Sequence, residues 1–130
     1  MAVIGIAGLP GSGKSRLIAE LQQHGYSAYD DIRIDWIGNL PNARSEARSG
    51  KNVAVSDIMF CSASWRGRLE QELCVPVQWI FFENSPWQCA KNCLYRFLFE
   101  NPNRSIGKEI RMILVMSQVY RPFGEIRPVW

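Results

Sequence analysis

The sequence predicts an α/β fold: a five-stranded, mostly parallel sheet layered between helices. Three observations lead there. Short apolar runs rich in branched residues alternate with stretches of helical periodicity along the chain. The runs that read as strands are nearly all apolar, as strands covered by helices on both faces must be. A glycine-rich stretch, Gly8-Leu9-Pro10-Gly11-Ser12-Gly13-Lys14-Ser15, separates the first apolar run from the first helix.

In order, Ala2-Val3-Ile4-Gly5-Ile6-Ala7 reads as a buried parallel strand. Residues 14–24 carry Leu17, Ile18 and Leu21 at helical spacing, and Gly25 is placed as a C-terminal stop. Residues 26–29 form a second strand that runs into Asp30 and Asp31. Residues 32–40, apolar at Ile32, Trp36, Ile37 and Leu40, predict a helix stopped by Pro41. Residues 42–49 predict a short exposed helix ended by Gly50. Val53-Ala54-Val55-Ser56-Asp57 is a third strand. Ser62 and Ser64 offer caps for a helix with Trp65, Leu69 and Leu73 on one face, broken by Pro76. A fourth strand spans 77–82. Ser85-Pro86 opens a helix running to about Phe99, with Ala90, Leu94, Phe97 and Leu98 as its apolar face. After a turn at 101–103, Ser105 caps a last helix through Tyr120, apolar at Ile106, Ile110, Ile113 and Leu114. A turn at 121–124 leads to a fifth strand at 126–129.

The 130 residues suit one domain, 1–130, and a 47% hydrophobic fraction with five tryptophans supplies a core, Trp65 and Trp79 being expected in it. Fifteen basic and twelve acidic residues give a net charge of +3, compatible with an anionic substrate but not demanding nucleic acid. No apolar run approaches the ~20 residues of a membrane span, and no signal peptide precedes the first strand, so a cytoplasmic protein is expected. Cys61, Cys74, Cys89 and Cys93 form no C-x-x-C pair. Cys89 and Cys93, one turn apart, would make half a metal site, but the single histidine, His24, is distant, so buried free thiols are expected.

Residues 8–15 fit G-x-x-x-x-G-K-[ST], the phosphate-binding P-loop, and stand in its required context of strand, loop and helix. Glycines let backbone N–H groups converge on phosphate oxygens, and the following helix adds its positive end. Gly8, Pro10, Gly11, Ser12, Gly13, Lys14, Ser15 and Arg16 are therefore the expected nucleotide contacts. Lys14 reaches toward the β- and γ-phosphates, and the Ser15 hydroxyl is a ligand for Mg²⁺. Asp57, closing an apolar strand, matches the Walker B pattern and is the expected second holder of Mg²⁺. A carboxylate at the mouth of the neighbouring strand, Asp30, is placed to take a proton from an attacking hydroxyl.

With these residues the chain resembles the small P-loop kinases, especially the polynucleotide 5′-kinase and zeta-toxin-like group. The resemblance implies a three-layer α/β/α P-loop NTPase fold, ATP and Mg²⁺ as cofactors, and transfer of the γ-phosphate to a hydroxyl of a small molecule, nucleotide or nucleic-acid end. Asp30-Asp31-Ile32-Arg33 looks like the Asp-Asp-x-Arg of polynucleotide kinases. That implies Asp30 as general base and Arg33 as a substrate contact. A lid at about 96–106 is implied, with Arg96 and Arg104 stabilising the transferring phosphoryl group. Asn92 departs from the pattern: it stands where the first lid arginine would be, leaving Lys91 or Arg104 to supply that charge. A nucleotide-dependent switch with little turnover is the competing expectation. A GTPase is not indicated, because Glu83-Asn84-Ser85-Pro86 stands where Asn-Lys-x-Asp would be and Asp35-Trp36-Ile37-Gly38 falls in the wrong place.

Overall fold

The computed structural model describes residues 2–129; Met1 and Trp130, the ends of the expected domain, lie outside the described residues. β1 (Val3–Ala7) lies at the middle of a five-stranded sheet, between β3 (Val53–Ser56) and β4 (Gln78–Phe82). β2 (Ser27–Tyr29) and β5 (Glu125–Arg127) form the edges, and every neighbouring pair is parallel. Burial follows position. Every residue of β1 and β3 is buried, β2 is half-buried and β5 is exposed. The apolar runs at 3–7 and 53–56 are what two central strands of a parallel sheet require.

The helices are α1 (Lys14–Gln23), α2 (Trp36–Arg48), α3 (Ala63–Leu73), α4 (Pro86–Phe99) and α5 (Ile106–Ser117). From β1 the chain lays β2 and β3 to one side, then crosses to place β4 and β5 on the other. The loops after β1 and β3 therefore diverge at the strands' carboxyl ends, where open α/β sheets form their ligand crevice.

Several expectations change. Pro41 does not stop a helix: residues 36–48 form one helix with Pro41 inside it. An interior proline costs about 3 kcal/mol by removing a hydrogen bond and crowding the preceding turn. Here Pro41 is exposed, and the helix is held from its other face by buried Leu40, Ala43 and Ala47. Ile32–Asp35 is a separate 3-10 turn, and the Asp35 carboxylate caps α2 by accepting from the Gly38 N–H at 3.2 Å. That cap accounts for the Asp-x-x-Gly match. In α4 the small Cys89 and Cys93 face inward, while Leu94 and Leu98 are exposed. In α5, which ends at Ser117 rather than Tyr120, Ile113 and Met116 are buried and Leu114 is not. The last strand starts at Glu125, one residue earlier than expected. Trp65 and Trp79 are half-buried against the core, and of four free thiols Cys61, Cys89 and Cys93 are buried while Cys74 is exposed. Burial pushes the Cys61 and Cys93 thiols up to about 12.

Two side chains tie the layers together. The fully buried Tyr120 hydroxyl donates to the Ala7 carbonyl at 3.1 Å and also contacts the Phe82 carbonyl. It thus bridges the carboxyl ends of β1 and β4, directly beneath the glycine-rich loop. On the other edge, Glu46 of α2 accepts from the hydroxyls of Ser27 and Tyr29 in β2. Those donors hold the Glu46 carboxyl below its usual range, and burial together with Glu46 raises Tyr29 to about 12.

Tyr120→Phe removes the hydroxyl that bridges those two buried carbonyls, and urea unfolding should show a loss of about 1–3 kcal/mol. An unchanged midpoint would mean that the hydroxyl contributes nothing. Glu46 has a depressed folded-state pKa, so its contribution is present above its ordinary value of 4.5 and fades as pH falls through the folded value. Glu46→Gln should therefore lower stability at neutral pH, and its deficit against the parent should shrink on acidification from about pH 5 to 3. A deficit that stays constant across that range would refute the linkage.

Candidate active site

The loop between β1 and α1 forms a ridge between two clefts. Gly11 and Gly13 border both, as does Arg96 of α4. The first cleft, about 460 Å³, is walled by Ser12, Arg16, Phe82, Tyr95, Arg127 and Pro128, among others. The second, about 520 Å³, is lined by Lys14, Asp31, Arg33, Asp57 and Arg104 together with the Ser15 hydroxyl.

Gly11 and Gly13 have φ of +82° and +110°, a left-handed backbone that side chains strain against. Gly11 is also constrained by space. A Cβ there would lie 2.5 Å from the Cys89 carbonyl oxygen and 3.0 Å from the Cys93 sulfur of α4. The small inward residues of α4 thus let the helix press onto the loop. Asn92, on the same helix, donates from Nδ2 to the Gly11 carbonyl at 2.9 Å and accepts from Gln88 Nε2 at 3.1 Å. The position where the resemblance implies a lid cation is a neutral anchor on the loop backbone.

Lys14 is 8% exposed, and its ammonium donates to the Leu9 carbonyl at 3.0 Å. It makes no ion pair among the described residues. Burial pushes its pKa down, while the charges of Asp31 and Asp30 pull the other way. The buried Ser12 hydroxyl oxygen has no hydrogen-bond partner among the described residues. A buried ammonium without a carboxylate and a buried hydroxyl without a partner are both costly alone. Both belong to the stretch that leads into the N-terminus of α1, a setting that suits an oxyanion.

Asp30, exposed at the end of β2, accepts from Ser15 Oγ at 2.6 Å through one oxygen and from Ser56 Oγ at 2.7 Å through the other. Its neighbour Asp31 lines the second cleft with φ of +52°. Burial, then the adjacent Asp30 charge, raises the Asp31 pKa. Asp57 is buried. One of its oxygens accepts from the Arg33 N–H at 3.0 Å and the other from the Met59 N–H at 2.9 Å. The Arg33 guanidinium lies 3.8 Å from it. Asp57 therefore caps the 3-10 turn Ile58–Cys61 while also bordering the cleft.

No group of three or more His, Cys, Asp or Glu able to cage a metal occurs among the described residues. Ser15, Asp30 and Asp57 are nonetheless hard oxygen donors of the kind Mg²⁺ takes when phosphates and waters complete its shell. The residues present fit that ion.

Of the lid cations, Arg96 faces both clefts, and Arg104 pairs with Glu109 at 2.8 Å on the wall of the second. Lys91 is exposed and borders neither cleft. Asn84, within the stretch where a guanine-reading segment would stand, donates to the Ser117 and Tyr120 carbonyls at 2.8 and 3.2 Å. Sequence reasoning missed Ser56, Phe82, Tyr95, Lys108 and Pro128. Only Ser56, adjoining the Walker B aspartate, carried a signal that could have found it.

No protein-family model matches the chain, and no curated protein matches it. Among solved structures it is similar to a gluconokinase from Sinorhizobium meliloti 1021, with a TM-score of 0.63 and 19% identity over 98% of this chain and 80% of that one. It is also similar to a protein designated APE1195, with a TM-score of 0.50 and 23% identity over 91% of this chain and 94% of that one. The fold is that of a P-loop NTPase. Among the described residues no helix is long and apolar enough to cross a membrane.

Gly11→Ala forces a side chain into a left-handed backbone, costing about 1–2 kcal/mol, and into the α4 backbone as well. It should lower the unfolding midpoint and abolish saturable binding of a fluorescent ATP analogue. Unchanged binding would show that α4 does not fix the loop.

Proposed function

We propose that the protein is a Mg²⁺-dependent P-loop kinase that moves the γ-phosphate of ATP to a hydroxyl acceptor. One observation carries the reading: the buried Lys14 ammonium, without a carboxylate partner among the described residues, lines the cleft that holds Asp31, Asp57, Arg33 and Arg104, and the loop it belongs to separates that cleft from one lined by Phe82, Tyr95 and Pro128. The first cleft offers the Phe82 and Tyr95 rings and Pro128 for a nucleoside beside the cations Arg16 and Arg127. The second offers a base and cations for an acceptor. The likeness to a gluconokinase supports phosphotransfer as the chemistry.

In this reading the triphosphate crosses the ridge on the N–H groups of the first turn of α1, which have no acceptor within the helix. Lys14 neutralises the terminal phosphates. Ser15, with Asp30 and Asp57, would hold Mg²⁺, which would supply charge neutralisation for the triphosphate. Arg96, facing both clefts, meets the charge spread over the transferring group, and Arg104 joins it on leaving Glu109. Asp30 and Asp31 divide the work expected of Asp30 alone. Asp30 is held by two serine hydroxyls, whereas Asp31 faces the cleft and is the carboxylate within reach of an acceptor's proton. Closure of the lid over the site excludes water and limits futile hydrolysis.

The test is ADP release from ATP and Mg²⁺ with a panel of hydroxyl compounds: nucleosides, 5′-hydroxyl oligonucleotides, sugars and sugar nucleotides. ADP should appear only with a suitable acceptor. Lys14→Met should lower the rate about 10²–10³-fold. Asp31→Asn should abolish acceptor-dependent release while leaving ATP affinity intact. Nucleotide binding with no acceptor able to stimulate turnover, and a partner's affinity that changes with nucleotide, would sink the kinase in favour of a switch.

A further inference from the structure

Behind Arg33 of the second cleft, two guanidinium groups gather on one indole with little acid to balance them. The Arg33 guanidinium, on the cleft wall, lies 4.4 Å from the centre of the Trp65 ring. The Arg68 guanidinium, on the same face of α3 as Trp65, lies 4.8 Å from that ring and 5.7 Å from Trp36. The two indoles meet edge to face at 5.9 Å. Arg33's acid neighbour is Asp57, at 3.8 Å, whose two oxygens already accept backbone N–H groups. Arg68 is exposed and has no ion pair among the described residues.

An indole face steadies a guanidinium but does not neutralise it. Two guanidinium groups held around one ring repel, and both keep N–H donors turned away from the ring. An oxyanion bound beside the ring would relieve the repulsion and meet the planar donor sets that arginine presents. The chain also sets Arg33 where an acceptor would pass. Arg33 stands two residues beyond Asp31 on the same cleft wall, so a molecule with its hydroxyl at Asp31 brings its next atoms to Arg33.

We propose that the acceptor carries, besides its reacting hydroxyl, a carboxylate or phosphate, and that Arg33 and Arg68 take up this anion beside Trp65. The proposal rests on the phosphotransfer reading and names its substrate class, a small anionic hydroxyl compound. The same contacts speak against a nucleobase stacked on Trp65, because guanidinium groups already lie against that indole.

Two experiments decide it. In the first, inorganic phosphate is titrated into the full chain saturated with a non-hydrolysable ATP analogue and Mg²⁺, and arginine Nε–H signals are followed by NMR. Arg33 and Arg68 should shift with one common midpoint. Arg68→Gln should raise the Arg33 midpoint at least fivefold, and Arg48→Gln, a charge removed at the far end of α2, should not. Shifts confined to the loop around Lys14, or unlinked midpoints for the two arginines, overturn the proposal. In the second, ADP release is compared for matched pairs: a neutral polyol against its phosphate ester and its aldonic acid. The anionic member should have a KM at least tenfold lower, and Arg68→Gln should erase that preference while leaving ATP affinity intact. Which anion is preferred separates phosphate from carboxylate. Equal use of the neutral member, or use of a 5′-hydroxyl oligonucleotide alone, overturns the proposal and leaves the kinase reading standing. Failure of the analogue to bind removes the kinase reading, while phosphate titrated into the free protein still decides the arginine pair.

Discussion

Everything around the loop follows from one constraint: an ammonium group is buried with no carboxylate to neutralise it. Lys14 is held by a backbone carbonyl, and its nearest acidic neighbours are too far to pair with it. Such a charge is costly unless hydrogen bonds or an anion compensate it. The surrounding geometry leaves room for an anion. The first turn of α1 directs its N–H groups the same way, and Tyr120 fixes the ends of the two strands on which the loop stands.

The loop is shaped as much by α4 as by its own sequence. Gly11 touches the backbone of α4, and Asn92 holds the Gly11 carbonyl. A carbonyl held toward the helix cannot turn its negative end into the phosphate cradle. This gives Asn92 a physical role where the family resemblance implies a charge, and it leaves Arg96 as the cation of α4 that faces both clefts. The apolar side chains that periodicity placed inside α4, Leu94 and Leu98, are displaced outward because only the small Cys89 and Cys93 permit so close an approach.

Most of the sheet was legible. The runs at 3–7, 53–57 and 77–82 announced buried parallel strands because burial on both faces demands continuous apolar sequence. The edge strands were legible only to within one or two residues, since half-exposed strands carry a weaker pattern. Pro41 misled because local propensity argued for a break, whereas burial of Ala43 and Ala47 and the anchoring of Glu46 on β2 keep the helix whole. The paired glycines and Lys14 could be read directly, since their chemistry depends on a contiguous stretch of backbone.

The sequence by itself determined the glycine-rich loop, the parallel sheet beneath it and the set of acids and arginines available to a site. Those features depend on residues close together in the chain, so spacing reveals them. Tertiary structure alone decided how that set is shared out. It gave Asp30 to Ser15 and Ser56, turned Asp31 into the cleft, set Asp57 against the Arg33 backbone, and brought Arg33 and Arg68 to one indole. Each of these depends on strands and helices distant in sequence meeting at the sheet's carboxyl edge, and no local pattern encodes which oxygen or guanidinium will face which neighbour.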